Sequence, residues 1–323
     1  MDVFGSSGVR GVVGNGLTPA FVGRIVSAAG RTLGAGTVAL ARDTRTTGRM
    51  LADVAAGTLA SVGTDVDRLG VLPTPGVQAY AERHGVPAVV ITASHNPPGY
   101  NGVKLIGDDG VELPKPTLER IEDRLSEGSN GGVGYASVGR SRSIAGAGDA
   151  YVRELLDALQ TEGRRDRIAG ADLTVALDPG HGAGCLTSPE FFRELGCRVV
   201  TVNAQPDGHF PGRDPEPVAA NLSDLRRLVR ASDADVGVAH DGDADRAIFV
   251  DEEGHHIDGE ASLAALAAAA LEAGDAVVSA VNVSPRLVGP GGAARGGVGF
   301  APAGGPHPLP GVPALPARRR ALP

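Results

Sequence analysis

The sequence predicts an α/β protein built from successive domains, and three observations carry that prediction. Short apolar runs alternate with segments of helical periodicity along most of the chain. A Gly- and Ser-rich stretch, residues 128–148, separates two such series. Two loops dense in functional groups, around Ser94 and Asp241, each follow directly on an apolar run, and chemistry collects in loops at strand ends. Strands alternating with helices imply right-handed βαβ units and a mostly parallel sheet. A length of 323 residues suits two or three domains.

Thr37 to Ala41 reads as a strand, followed by the polar loop Arg42-Asp43-Thr44-Arg45. Met50, Leu51, Val54, Leu59 and Val62 then recur at helical spacing. Val66 to Leu72 is a second strand, Pro73-Thr74-Pro75 precedes a helix through Glu82, and Pro87 to Ile91 leads into the Ser94 loop. Beyond 128–148, which reads as an inter-domain connection, Tyr151 to Leu159 is helical and Leu173 to Leu177 a strand. Phe191 to Leu195 is helical and Arg198 to Val202 a strand; Asn221 starts a helix, and Asp235 to Ala239 leads into the Asp cluster. A third unit opens near Asp251, with a helix from Asp258 and a strand at Ala276 to Val281.

The pattern stops at residue 289. Of the 35 residues 289–323, 28 are Gly, Pro, Ala or Arg, a composition that sustains neither a helix nor a central strand, so this tail reads as disordered.

Apolar residues make up 42% of the chain and aromatic ones 3%, with no Trp, so Val, Leu and Ala must build the cores. A formal charge of −8 argues against nucleic-acid or membrane-surface binding. Lys104 and Lys115 are the only lysines among 30 basic residues, a bias that fits a GC-rich genome. Cys185 and Cys197 have neither metal-ligand nor disulfide spacing and read as small core residues in a reducing cytosol. The N-terminus lacks a signal-peptide pattern, and Ala261 to Leu271 is too short for a membrane span and reads as a buried helix, so the expected location is cytoplasmic.

The chemistry lies in two runs. Thr92-Ala93-Ser94-His95-Asn96-Pro97-Pro98-Gly99-Tyr100-Asn101-Gly102-Val103-Lys104 delivers a hydroxyl, an imidazole, amides and a lysine into a loop fixed by prolines and glycines. Asp241-Gly242-Asp243-Ala244-Asp245-Arg246 sets three carboxylates at alternate positions, able to face one hard divalent cation such as Mg²⁺. An EF-hand is excluded because its sixth position needs Gly and holds Arg246, and the flanks look like strands. A hydrolase nucleophile is disfavoured: no Gly-x-Ser-x-Gly elbow is present, and His95, as immediate neighbour, is badly placed as the base of Ser94. A serine that carries a phosphoryl group fits better, with a metal site and Arg246 to neutralise it.

These two runs, in order after Phe4-Gly5-Ser6-Ser7-Gly8-Val9-Arg10-Gly11, resemble the α-D-phosphohexomutases, from residue 1 to about residue 288. The resemblance implies mixed-sheet α/β domains at 1–148 and 149–252, an incomplete third domain at 253–288, and no fourth. It implies that Ser94 is the phosphoserine, passing its phosphoryl group to a hexose phosphate and recovering one from a hexose 1,6-bisphosphate. Asp241, Asp243, Asp245 and an oxygen on Ser94 would hold Mg²⁺, Arg10 and Arg246 would stabilise the phosphoryl charge, and Lys104 and His95 would move protons. Lys104 also suits that role chemically, since a lysine with a shifted pKa releases a proton and an arginine does not.

Other groups stay open. Asp43 and Arg45 line the cleft or form a surface ion pair; Gly180-His181-Gly182-Ala183-Gly184 lacks the Lys-Ser/Thr of a phosphate loop and reads as structural; His255 and His256 lie in a surface turn. Gly259-Glu260-Ala261-Ser262 looks like the family's sugar-reading loop but comes too early in the third domain. A tail of this composition is what a shifted reading frame in GC-rich DNA would give. The implied product is a mutase with impaired activity; the alternatives are a remnant that binds only Mg²⁺ and phosphate, or a phosphatase-like leak from Ser94. The resemblance covers glucose, mannose and glucosamine phosphates alike.

Overall fold

The computed structural model describes residues 4–5, 8–128, 131–161, 163–270, 277–280 and 298–301. Residues 1–256 form one compact unit containing two sheets, and residues 257–323 belong to a second.

The first sheet is built from β1 (Val9–Val13), β2 (Gly16–Leu17), β3 (Thr37–Arg42), β4 (Asp65–Val71), β5 (Ala88–Ile91), β6 (Tyr100–Ile106) and β7 (Ser141–Ser143). Its order is β2-β1-β6-β5-β3-β4-β7. The β5–β3–β4–β7 part is parallel, as the alternating pattern predicts. The sheet as a whole is mixed, because β6 runs antiparallel to both β1 and β5. The helices are α1 (Pro19–Leu33), α2 (Gly48–Ser61), α3 (Thr74–His84) and α4 (Lys115–Ser126). Leu59, Ile25 and Ile121, from α2, α1 and α4, fill one face, while Val77 of α3 packs with Ala88 and Val90 on the other. Each such fully buried side chain contributes about 1.5–3 kcal/mol.

Two expectations need correction here. Tyr100 to Lys104 is not loop but the start of β6, which pairs with β1 over Tyr100–Val103 and with β5 from Val103 onward; Gly102 lies so close to the backbone of Val9 and Thr92 that a Cβ would not fit. Residues 128–148 are not a bare connection. Gly139 lies so close to Thr64 that a Cβ would not fit, and Arg142 of β7 pairs with Asp67 of β4, so the stretch supplies the sheet's edge strand. Helix α1 escaped the sequence reading, although its ends are signalled: Thr18 caps the N–H of Phe21 at 3.1 Å, Pro19 opens the helix and Gly34 closes it at φ +60°.

The second sheet comprises β8 (Thr174–Asp178), β9 (Arg198–Thr201), β10 (Val236–His240), β11 (Ala247–Val250) and β12 (His256–Ile257), in the order β12-β11-β10-β8-β9. Its helices are α5 (Ala147–Thr161), α6 (Arg164–Ala169), α7 (Ser188–Glu194) and α8 (Ser223–Ala231). Leu225 and Val229 of α8 are fully buried against Ala176, Ala239 and Val250. Cys197 is buried and Cys185 half-buried, and both are free thiols.

In the second unit, α9 (Gly259–Ala270) replaces the buried helix expected at 261–271. Leu263 and Leu266 are 38% and 46% exposed, because an alanine-rich helix presents no wide face of large residues to bury. β13 (Val277–Ala280) pairs in parallel with β14 (Val298–Ala301). β14, in a two-stranded sheet, departs from the disorder expected over 289–323: Val298 and Phe300 alternate with small residues over four positions free of proline. The rest of that tail lies outside the described residues, as do Ser6 and Ser7.

Candidate active site

The two motif loops meet. Ser94 lies three residues past β5 with φ +51°, a left-handed conformation rare for a non-glycine residue, and is 1% exposed. Asp241, Asp243 and Asp245 follow β10, the loop turning on Ala244 at φ +53°. The Ser94 hydroxyl donates to Oδ2 of Asp241 at 2.5 Å. The three aspartates bring ligand oxygens within 4.8 Å of one another. Burial, and then the charges of Asp243 and Asp245, raise the Asp241 pKa well above its usual value. Oδ1 of Asp243 is buried with no hydrogen-bond partner, so the cluster offers a hard cation an unpaired oxygen as well as concentrated negative charge.

Thr74, at the start of α3, donates its hydroxyl to Asp243 Oδ2 at 2.6 Å and its N–H to the Asp243 carbonyl at 2.9 Å. Lys104, 3% exposed on β6, places Nζ 2.9 Å from Asp245 Oδ2 and 3.5 Å from both Asp243 Oδ2 and Glu112 Oε1. Its burial favours the neutral amine, yet Asp243, Asp245 and Glu112 outweigh it and raise the pKa. Lys104 thus pairs with the acidic cluster.

His95 also departs from expectation. Its Nδ1 lies 3.2 Å from the Ser94 hydroxyl oxygen, within hydrogen-bond reach, because the left-handed turn at Ser94 folds the two neighbouring side chains together. Burial, with the charges of Arg246 and Arg10, lowers its pKa, so the imidazole is neutral near pH 7. Both arginines therefore flank the same group: Arg10 donates to Asn96 Oδ1 at 3.1 Å, and the Arg246 guanidinium, 44% exposed, lies 3.8 Å from Glu216.

Asp43 and Arg45 are no surface pair; they are 0% and 1% exposed. Arg45 Nε meets Asp43 Oδ2 at 3.0 Å, and its two terminal nitrogens bind the carbonyls of Ser94, Asn96, Pro97 and Tyr100 at 2.6 to 3.0 Å. Phe210 caps the guanidinium at 5.3 Å. Arg213 does related work on the other loop, holding Asp178 at 2.8 Å and the His240 carbonyl at 2.6 Å just before Asp241. The Gly180 to Gly184 turn is structural: a Cβ on Gly182 would stand 2.5 Å from the Gly242 carbonyl. His255 stays at the surface, against Asp251 at 3.3 Å. The sequence reading missed Thr74, Glu112, Phe210 and Arg213, which come from segments without a motif.

The arrangement joins an oriented hydroxyl, a carboxylate cluster able to hold a cation and flanking guanidinium groups, parts that suit phosphoryl transfer. Residues 1–131 match the phosphoglucomutase/phosphomannomutase alpha/beta/alpha domain I, and residues 145–254 match domain II of the same family. A Methanopyrus kandleri protein named "Probable phosphoglucosamine mutase" is 41% identical over 286 residues, 88% of this chain and 62% of that protein. A phosphoglucomutase/phosphomannomutase of Thermococcus kodakarensis is 39% identical over 294 residues, covering 88% and 63%. The crystal structure of a phosphoglucomutase/phosphomannomutase family protein from Burkholderia thailandensis superimposes with a TM-score of 0.78 at 27% identity, over 94% of this chain and 66% of that one. The chain thus spans a little under two thirds of the length of these curated relatives. No described helix is long and apolar enough to cross a membrane.

Proposed function

Because this chain belongs to the phosphoglucomutase/phosphomannomutase family, we propose that it interconverts hexose 1-phosphate and hexose 6-phosphate in the cytoplasm, with Ser94 as phosphoryl carrier and Mg²⁺ as cofactor. The observation that carries this reading is the Ser94 hydroxyl 2.5 Å from Asp241, at the edge of a three-carboxylate cluster with an unpaired buried oxygen. An all-carboxylate donor set suits Mg²⁺, which Asp241, Asp243 and Asp245 would hold with a phosphoserine oxygen. When bound, the ion neutralises phosphoryl oxygens and so lowers the cost of the charged transition state.

In the proposed cycle, phosphorylated Ser94 meets the free hydroxyl of a hexose 1-phosphate. The Oγ–P bond breaks as the sugar O–P bond forms, the hydroxyl proton passes to a base, and hexose 1,6-bisphosphate results. Turned end for end, the bisphosphate returns its other phosphoryl group to Ser94 and leaves as hexose 6-phosphate. Asp241 orients Oγ, Arg10 and Arg246 balance phosphoryl charge, and neutral His95 accepts or returns a proton at Nδ1. Lys104 holds the aspartates together and lends positive charge to the phosphoryl side.

Incubation with glucose 1,6-bisphosphate and Mg²⁺, followed by intact-mass measurement, should show one added phosphoryl group that Ser94→Ala abolishes. An unmodified wild-type chain would sink the reading. Glucose, mannose and glucosamine 1-phosphates, each with a trace of bisphosphate, then report the sugar and the turnover rate, while inorganic phosphate release would favour the phosphatase-like alternative.

A further inference from the structure

We infer that Arg45 is a positioning residue for phosphoryl transfer at Ser94, fixing the serine backbone so that its hydroxyl faces Asp241; the inference rests on the phosphoserine reading above. A guanidinium has five N–H donors, and Arg45 uses all of them. Nε donates to Asp43, Nη1 to the carbonyls of Pro97 (2.7 Å) and Tyr100 (3.0 Å), and Nη2 to those of Ser94 (2.8 Å) and Asn96 (2.6 Å). At 1% exposure, water does not stand in for any of them.

Both backbone groups of Ser94 lead back to the same ion pair. Its carbonyl is held directly by Arg45. Its N–H donates to the Thr92 hydroxyl at 2.9 Å, which donates in turn to Asp43 at 2.7 Å. The peptides are trans, so drawing the Ser94 carbonyl toward Arg45 turns the N–H of His95 the opposite way. The left-handed φ of +51° at Ser94 persists because these contacts over-determine it.

Lysine supplies three donors and no planar fork, so Arg45→Lys leaves at least two of the five acceptors unfilled. Thr92→Val removes the other arm of the clamp with little change of shape. Phosphorylation of Ser94 by glucose 1,6-bisphosphate is timed by intact mass, with circular dichroism to confirm the fold and calorimetry to follow Mg²⁺ binding.

Expected rates are about 100-fold lower for Arg45→Lys and roughly 10-fold lower for Thr92→Val, on the scale that small misplacements of reacting groups produce. Added guanidinium, but not ammonium, should restore part of the rate to Arg45→Ala, a response that a purely structural role would not give. If Arg45→Lys does not fold, Thr92→Val decides alone. Phosphorylation of the folded variants within threefold of wild type overturns the inference and leaves the function standing. A wild-type chain that takes up no phosphoryl group removes both.

Discussion

Replacing Gly242 by alanine would drive the two loops of the site apart. A Cβ there would lie 2.7 Å from the Ser94 carbonyl oxygen and 3.7 Å from both Arg45 Nη2 and Phe210 Cζ. An ordinary contact begins at 3.4 Å, so the Asp241 loop and the Ser94 loop must separate by about 0.7 Å. The carbonyl cannot yield cheaply, because Arg45 holds it at 2.8 Å. Gly242 has no left-handed φ, so the cost is steric rather than conformational. Overpacking of this kind costs about 1–3 kcal/mol. The same displacement stretches the 2.5 Å contact between Ser94 and Asp241 toward the limit of a hydrogen bond. Misplacement near 1 Å costs on the order of 100-fold in rate. Urea unfolding and the rate of Ser94 phosphorylation measure the two effects on the same preparations. Wild-type stability together with a wild-type rate in Gly242→Ala would refute the close packing of these loops.

Mg²⁺ should raise the unfolding free energy in a concentration-dependent way, by about 2.7 kcal/mol at a hundredfold excess over Kd, and Asp243→Asn should abolish the rise; a stability indifferent to Mg²⁺ would contradict a cation at this cluster. Lys104→Met leaves Asp243 and Asp245 without their buried counter-ion and should destabilise by about 3 kcal/mol, more without Mg²⁺ than with it, as denaturation with and without the ion would show. Asp67 is held below its usual pKa of 3.8, chiefly by the hydrogen bond from Arg142. A depressed carboxylate stabilises the fold above its unfolded pKa and loses that contribution as pH falls through the folded value. Unfolding measured from pH 6 down to pH 2.5 should therefore show a shallower acid loss in Asp67→Asn than in wild type, and superimposable curves would exclude the linkage.

What could be read from the sequence depended on how local each signal is. Ser94, His95 and the three aspartates stand in two contiguous runs, and a run of carboxylates in a turn has few chemical uses. The strands from Thr37 to Arg42 and from Val236 to His240 show as apolar segments because both faces of the parallel region are covered. The sequence puts Lys104 in a loop, since prolines and glycines before it mask the start of β6, whose pairing with β1 is distant in sequence. The sequence leaves Arg45 and Asp43 between cleft and surface because burial of a charge depends on what packs over it. Here Phe210 and Gly242 come from the second sheet's loops, more than 160 residues away. Cooperation of that kind leaves no local periodicity to find.

The antiparallel pairing of β6 with β5 has a thermodynamic consequence for the serine. Ile91 sits opposite Val103, so residues 92–99 form a hairpin loop with both ends anchored in the sheet interior. Closing such a loop, and fixing each of its residues, costs conformational entropy of about 1–2 kcal/mol per residue. Folding meets that cost once. A carrier serine on a freely moving loop would meet part of it again at every transfer, so the hairpin lets successive turnovers begin from an already ordered nucleophile.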